Sequence, residues 1–94
     1  MEWDPTKNAA NEAKHGLSFE QALQLLLGDA DYLEIYDEAN SLEEDRFIAI
    51  GPIAAGVVVI VFTERADEVI RIISARRATP REIALYRAHA GRQT

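Results

Sequence analysis

Val57 to Phe62 limits the fold more than any other stretch, because six consecutive apolar and mostly β-branched residues leave no position to show to water. A half-exposed strand would alternate. An unbroken run suits a central strand buried on both faces, and it is far too short to cross a bilayer.

The flanking sequence supplies that strand with neighbours. Tyr32 to Tyr36 and Arg46 to Ile50 read as strands, the second closed by Gly51-Pro52 and Ala55-Gly56, and Glu68 to Arg76 reads as the last. Asp37 to Asp45 is acidic and aperiodic, a surface connection. Short links between successive strands imply antiparallel pairing. Met1 to Trp3 adds a short N-terminal edge strand.

Helix signals bracket this sheet. Asp4-Pro5 starts a helix with alanines 9, 10 and 13 on its packing side, ended by His15-Gly16. Ser18 and Gln21 form a capping box, with Leu17 as the hydrophobic staple, for a second helix that buries Phe19, Ala22, Leu23 and Leu26 before Gly28-Asp29. Thr79-Pro80-Arg81-Glu82 opens a third, packing through Ile83, Tyr86 and Ala90. The expected architecture is a single α+β domain over residues 1–94. Two N-terminal helices cover one face of a mostly antiparallel sheet of about four strands plus the short N-terminal strand, and the C-terminal helix covers at most part of the other face.

Charge is distributed unevenly along this frame. Residues 71–94 hold six Arg against one Glu, whereas residues 1–70 hold four basic and fifteen acidic residues. A net charge of −6 argues against broad adhesion to nucleic acid, yet it allows a small basic pocket inside an acidic envelope that suits a basic partner. With no Cys and two His, neither a disulfide framework nor a metal centre is expected, and no cofactor is implied. The opening Met-Glu-Trp-Asp resembles no leader, which leads to the expectation of a cytoplasmic protein.

Two constellations carry possible chemistry. A period of two in the last strand sets Ile70, Ile72, Ser74 and Arg76 on one face, the better core candidate, and Arg71, Ile73, Ala75 and Arg77 on the other. Arg76 at the end of a buried face needs an anion: Glu44, Glu82 or an external phosphate. In Glu44-Asp45-Arg46 a carboxylate beside a guanidinium can act as general base on a ribose hydroxyl while arginines stabilise charge on a phosphate. The competing reading of such a pair is a solvated surface ion pair. Lys14-His15 either complements a helix dipole or contacts RNA, and Tyr86 either packs or reaches a phosphate.

Longer motifs carry a resemblance. Glu2-Trp3-Asp4-Pro5-x-Lys7, Asn11-x-x-Lys14-His15-Gly16-x-Ser18-Phe19-x-x-Ala22, Glu44-x-Arg46, Gly51, Thr63-Glu64-Arg65 and Arg71-Ile72-Ile73-Ser74-Ala75-Arg76-x-Ala78-Thr79-x-x-Glu82-x-x-x-Tyr86 together resemble the BrnT toxins of type II toxin-antitoxin modules. The resemblance implies a RelE-like fold and a metal-independent endoribonuclease that arrests growth. It also implies a ribbon-helix-helix antitoxin of the BrnA type as partner, the complex binding operator DNA. On this sequence it points to Glu44, Arg46, Arg65 and Arg76 as catalytic candidates, and to Lys14, His15, Arg77, Arg81 and Tyr86 as RNA-binding ones. Under this expectation Glu44 is the base for attack by a 2′-hydroxyl, and the three arginines hold the transition state. Phe62 and Val57 depart from the family, standing where Tyr and a basic residue are common. The alternative reading is a catalytically weak module that binds antitoxin and tunes operator repression. A third is a scaffold whose arginines form internal salt bridges.

Overall fold

The computed structural model describes residues 2–28, 31–42, 44–64 and 69–92, the last of these by its backbone. Four strands, β1 (Leu33–Tyr36), β2 (Asp45–Ile53), β3 (Gly56–Glu64) and β4 (Ile70–Arg77), form an antiparallel sheet in sequence order. Helices α1 (Pro5–His15) and α2 (Phe19–Leu27) precede the sheet, and α3 (Pro80–Arg92) follows it. The capping signals act as expected. Asp4 accepts from the Thr6 N–H, both halves of the Ser18/Gln21 box form, and Gly16 at φ 70° closes α1 by donating its N–H to the Glu12 carbonyl at 2.8 Å. The N-terminal strand shrinks to one parallel bridge, Glu2 against Arg71.

Strand β2 runs through Gly51-Pro52 to Ile53, beyond its expected end at Ile50, and the chain turns at Ala54-Ala55. Pro52 is tolerated because β1 pairs with β2 no further than Leu33 opposite Ile50, so its missing N–H interrupts no ladder. Gly51 is required for space rather than for backbone freedom. A Cβ there would lie 2.7 Å from Leu25 Cδ1 and 2.8 Å from Tyr32 Cβ. Gly51→Ala is therefore expected to destabilise the fold by about 1–3 kcal/mol, read as a lower midpoint in urea unfolding; an unchanged midpoint would mean that Tyr32 yields freely.

A bulge in β4 corrects the strand-face assignment. Phe62 pairs with Ile72 but Val61 pairs with Ser74, so Ile73 is the extra residue and the alternation slips by one. Beyond it, Ala75 rather than Arg76 faces α1 and α2. The core on that side joins Leu17, Phe19, Ala22 and Leu25 to Ala49, Val58, Ile60, Phe62, Ile72 and Ala75. Ile50 and Val59, also buried, point to the second face with Arg76.

Helix α1 docks differently from expectation. Ala9, Ala10 and Ala13 are exposed, and Asn11 is its buried residue. Its carboxamide accepts from the Ala75 N–H at 3.2 Å and donates to the Ala75 carbonyl at 2.7 Å and the Leu17 carbonyl at 2.8 Å. One side chain thus stands in for a fifth strand along part of the outer edge of β4, where an unpaired N–H and C=O would otherwise face a buried interface. Three hydrogen bonds compensate the buried amide.

Candidate active site

The second face of the sheet has a covered end and an open end. In the row Leu33, Ile50, Val59, Arg76, the middle pair is buried, and α3 lies against β1 and β2. Tyr86 donates to the Asp31 carbonyl at 3.4 Å, and His89 Nε2 lies 3.7 Å from the Asp31 carboxylate, fixing the far end of α3 beside the start of β1. Toward the other end Ile48 and Val61 are half-buried and Ile35 is 38% exposed, so the cover ends there. On this face the last row across the three longer strands is Arg46, Thr63, Arg71.

Glu44 and Arg46 lie at this open end. Both line a concavity of about 270 Å³ with Ala39, Asn40 and Leu42. The connection that walls it contains a 3-10 turn at Glu38–Asn40. Ser41 pins it by donating its hydroxyl to the Asp37 carbonyl at 2.6 Å and accepting the Arg46 N–H at 3.0 Å. A carboxylate, a guanidinium and an exposed Leu42 in one concavity can hold a sugar-phosphate and remove a proton from it. Arg65 lies outside the described residues.

Arg76 is not brought to that concavity. Val59 and Thr63, its row and that of Arg46, are four residues apart, so the two arginines start about 13 Å apart along the strands and about 10 Å across them. Of its possible anions Arg76 takes Glu82, through two parallel bonds of 2.7 and 2.8 Å. Glu82 also accepts the Thr79 N–H at 2.8 Å while the Thr79 hydroxyl accepts the Glu82 N–H. Strand end, helix cap and ion pair are thus one unit. The Arg76 hydrogen bonds hold the Glu82 carboxyl down to about 2, and Glu82 in turn raises the pKa of Arg76.

A carboxyl depressed in the folded state stabilises above its unfolded pKa and loses that contribution as pH falls through the folded value. Between about pH 4.5 and 2 the parent should lose about 1–2 kcal/mol at this pair, an amount reduced by the partial exposure of the fork. Glu82→Gln should lower stability at pH 7 and flatten this acid limb in urea titrations; an acid limb as steep as the parent's would contradict it.

The remaining candidates are dispersed. Lys14 and His15 end α1, on the first face of the sheet. Arg77 donates to the Ala55 carbonyl at 2.7 Å, bracing the turn between β2 and β3. Arg81 is exposed in the first turn of α3. Neither Thr63 and Arg71, which the register sets in a row with Arg46, nor Asn11, which ties α1 to β4, was singled out from the sequence. A two-residue turn at Ala54-Ala55 sets Thr63 opposite Arg46, a readable signal, whereas the place of Arg71 follows only from the register of β4 against β3. Among the described residues no group of three or more His, Cys, Asp or Glu could hold a metal, and no helix is long and apolar enough to cross a membrane.

Residues 3–82 match the family model described as "Ribonuclease toxin, BrnT, of type II toxin-antitoxin system". The chain belongs to the BrnT family. The fold agrees: the chain is similar to the crystal structure of the Brucella abortus ribonuclease toxin BrnT, with a TM-score of 0.63 and 28% identity over 82% of this chain and 92% of that one. No curated protein matches the sequence. The BrnT match spans α1 through the cap of α3 and so includes Glu44, Arg46, Thr63, Arg71 and the Arg76-Glu82 pair.

Proposed function

We propose that this BrnT-family chain is a metal-independent endoribonuclease whose reaction centre is the Glu44-Arg46 concavity. The observation that carries the reading is that the one carboxylate-guanidinium pair expected from sequence to act on a ribose-phosphate lies in a shared, solvent-open concavity, within a chain of a ribonuclease toxin family. In this reading Glu44 takes the proton of a 2′-hydroxyl, which attacks the adjacent phosphorus. The 5′-oxygen of the next nucleotide leaves, and a 2′,3′-cyclic phosphate remains. Arg46 and Arg65 stabilise the charge on the equatorial oxygens. Arg76 holds α3 in place rather than touching the reacting phosphate, Arg81 follows the RNA backbone, and Lys14, His15, Arg77 and Tyr86 serve structure first.

The partner in this proposal is a BrnA-like ribbon-helix-helix antitoxin, with the complex binding operator DNA from the cytoplasm. The exposed carboxylates of Glu38 and Glu44 on the connection that walls the concavity, in a chain of net charge −6, suit a basic segment that blocks the site. Induced expression should arrest growth and fragment cellular RNA, and co-expression of such an antitoxin should restore both. Growth arrest with intact RNA would oppose the proposal.

A further inference from the structure

Thr63 and Arg71 enter none of the roles above, yet the strand register places them in one row with Arg46 on the open end of the second face. Thr63 is fully buried and its hydroxyl oxygen has no hydrogen-bond partner; Arg46 Nε, the neighbouring polar atom of the row, is buried without one as well. Leaving such a group unsatisfied is costly, and folded proteins keep few of them. Among the described residues neither Arg46 nor Arg71 has a carboxylate in ion-pair contact. Glu2, bridged to Arg71 through its backbone, is the neighbouring acid on the outer side.

The two arginines of the row offer only donors, in planar forks that match the oxygens of a phosphate, and the Thr63 hydroxyl between them in the register can add another. We infer that Arg46, Thr63 and Arg71 form a seat for an RNA phosphodiester, with the arginine side chains parting to admit one phosphate over the Thr63 hydroxyl. The inference rests on the ribonuclease reading and deepens it. Arg46 is shared between seat and concavity, so a phosphate held here sits beside Glu44, and the seat orients the backbone that Glu44 acts on.

The test uses a 2′-O-methylated oligoribonucleotide, which lacks the attacking hydroxyl and reports binding alone. Arg71→Ala should weaken its binding about tenfold or more and reduce the slope of log K against log salt by about 0.7. Thr63→Val should have effects of opposite sign: a raised melting temperature, because the unpartnered hydroxyl is gone, and several-fold weaker RNA binding. A raised melting temperature with parental affinity would make the hydroxyl a tolerated defect and overturn the seat, as would parental affinity in Arg71→Ala. If the parent chain neither binds this oligonucleotide nor cleaves unmodified RNA, the ribonuclease reading falls and the seat with it.

Discussion

Glu44→Gln should reduce RNA cleavage about 10²–10⁴-fold, the usual contribution of a positioned general base, while leaving the fold as stable as the parent. Glutamine keeps the shape and an acceptor oxygen but cannot take a proton from a 2′-hydroxyl. Glu44 is exposed on the wall of the concavity, so the substitution removes no core contact and its effect on stability should stay within about 0.5 kcal/mol. The two readouts therefore separate. Near-parental cleavage would remove Glu44 from the chemistry, and lost cleavage in a protein that also unfolds would show a structural role instead. Arg46→Lys is the companion variant. It retains charge but loses the planar fork, so it should fall between the parent and Glu44→Gln.

The largest expected effect on stability belongs to Asn11→Leu. The side chain fits the volume, yet it strands the Ala75 N–H and C=O and the Leu17 carbonyl inside the interface between α1 and the edge of β4. At about 1–3 kcal/mol for each unsatisfied group, the loss should reach about 3 kcal/mol or more, a large share of the 5–15 kcal/mol typical of a domain this size. Asn11→Asp should be no better: its carboxylate can still accept from the Ala75 N–H but is set against two carbonyl oxygens. Urea unfolding measures the total, and amide exchange locates it, with faster exchange at Ala75 and through α1. A loss under about 1 kcal/mol would mean that water replaces the amide at this edge.

Why some of this was readable in the sequence and some was not follows from the range of the forces involved. Caps act within four residues, so Asp4-Pro5, Ser18 with Gln21, and Thr79 with Glu82 marked the helix starts, and the continuous run from Val57 identified the central strand. The bulge at Ile73 was illegible because Arg-Ile-Ile-Ser-Ala-Arg alternates equally well with or without an extra residue. That one-residue slip moved Arg76 to the second face and into the grip of Glu82. Asn11 was hidden for a related reason. The alanines suggested the packing side of α1, and nothing local marks Asn11 as buried, because its partner is a backbone edge 64 residues away. Within the candidate site, Glu44 and Arg46 are close in sequence and their sharing of one concavity could be anticipated, but the row that joins Arg46 to Arg71 exists only once the sheet is assembled.

The central claim is metal-free attack by a 2′-hydroxyl at the Glu44-Arg46 concavity, and the nature of the new RNA ends tests it most directly. Purified chain should be incubated with end-labelled RNA in EDTA, beside a folded Glu44→Gln control. The account predicts products ending in 2′,3′-cyclic phosphate, or the 3′-phosphate derived from it, from the parent alone. Products bearing 3′-hydroxyl and 5′-phosphate ends, or equal cleavage by Glu44→Gln, would contradict it.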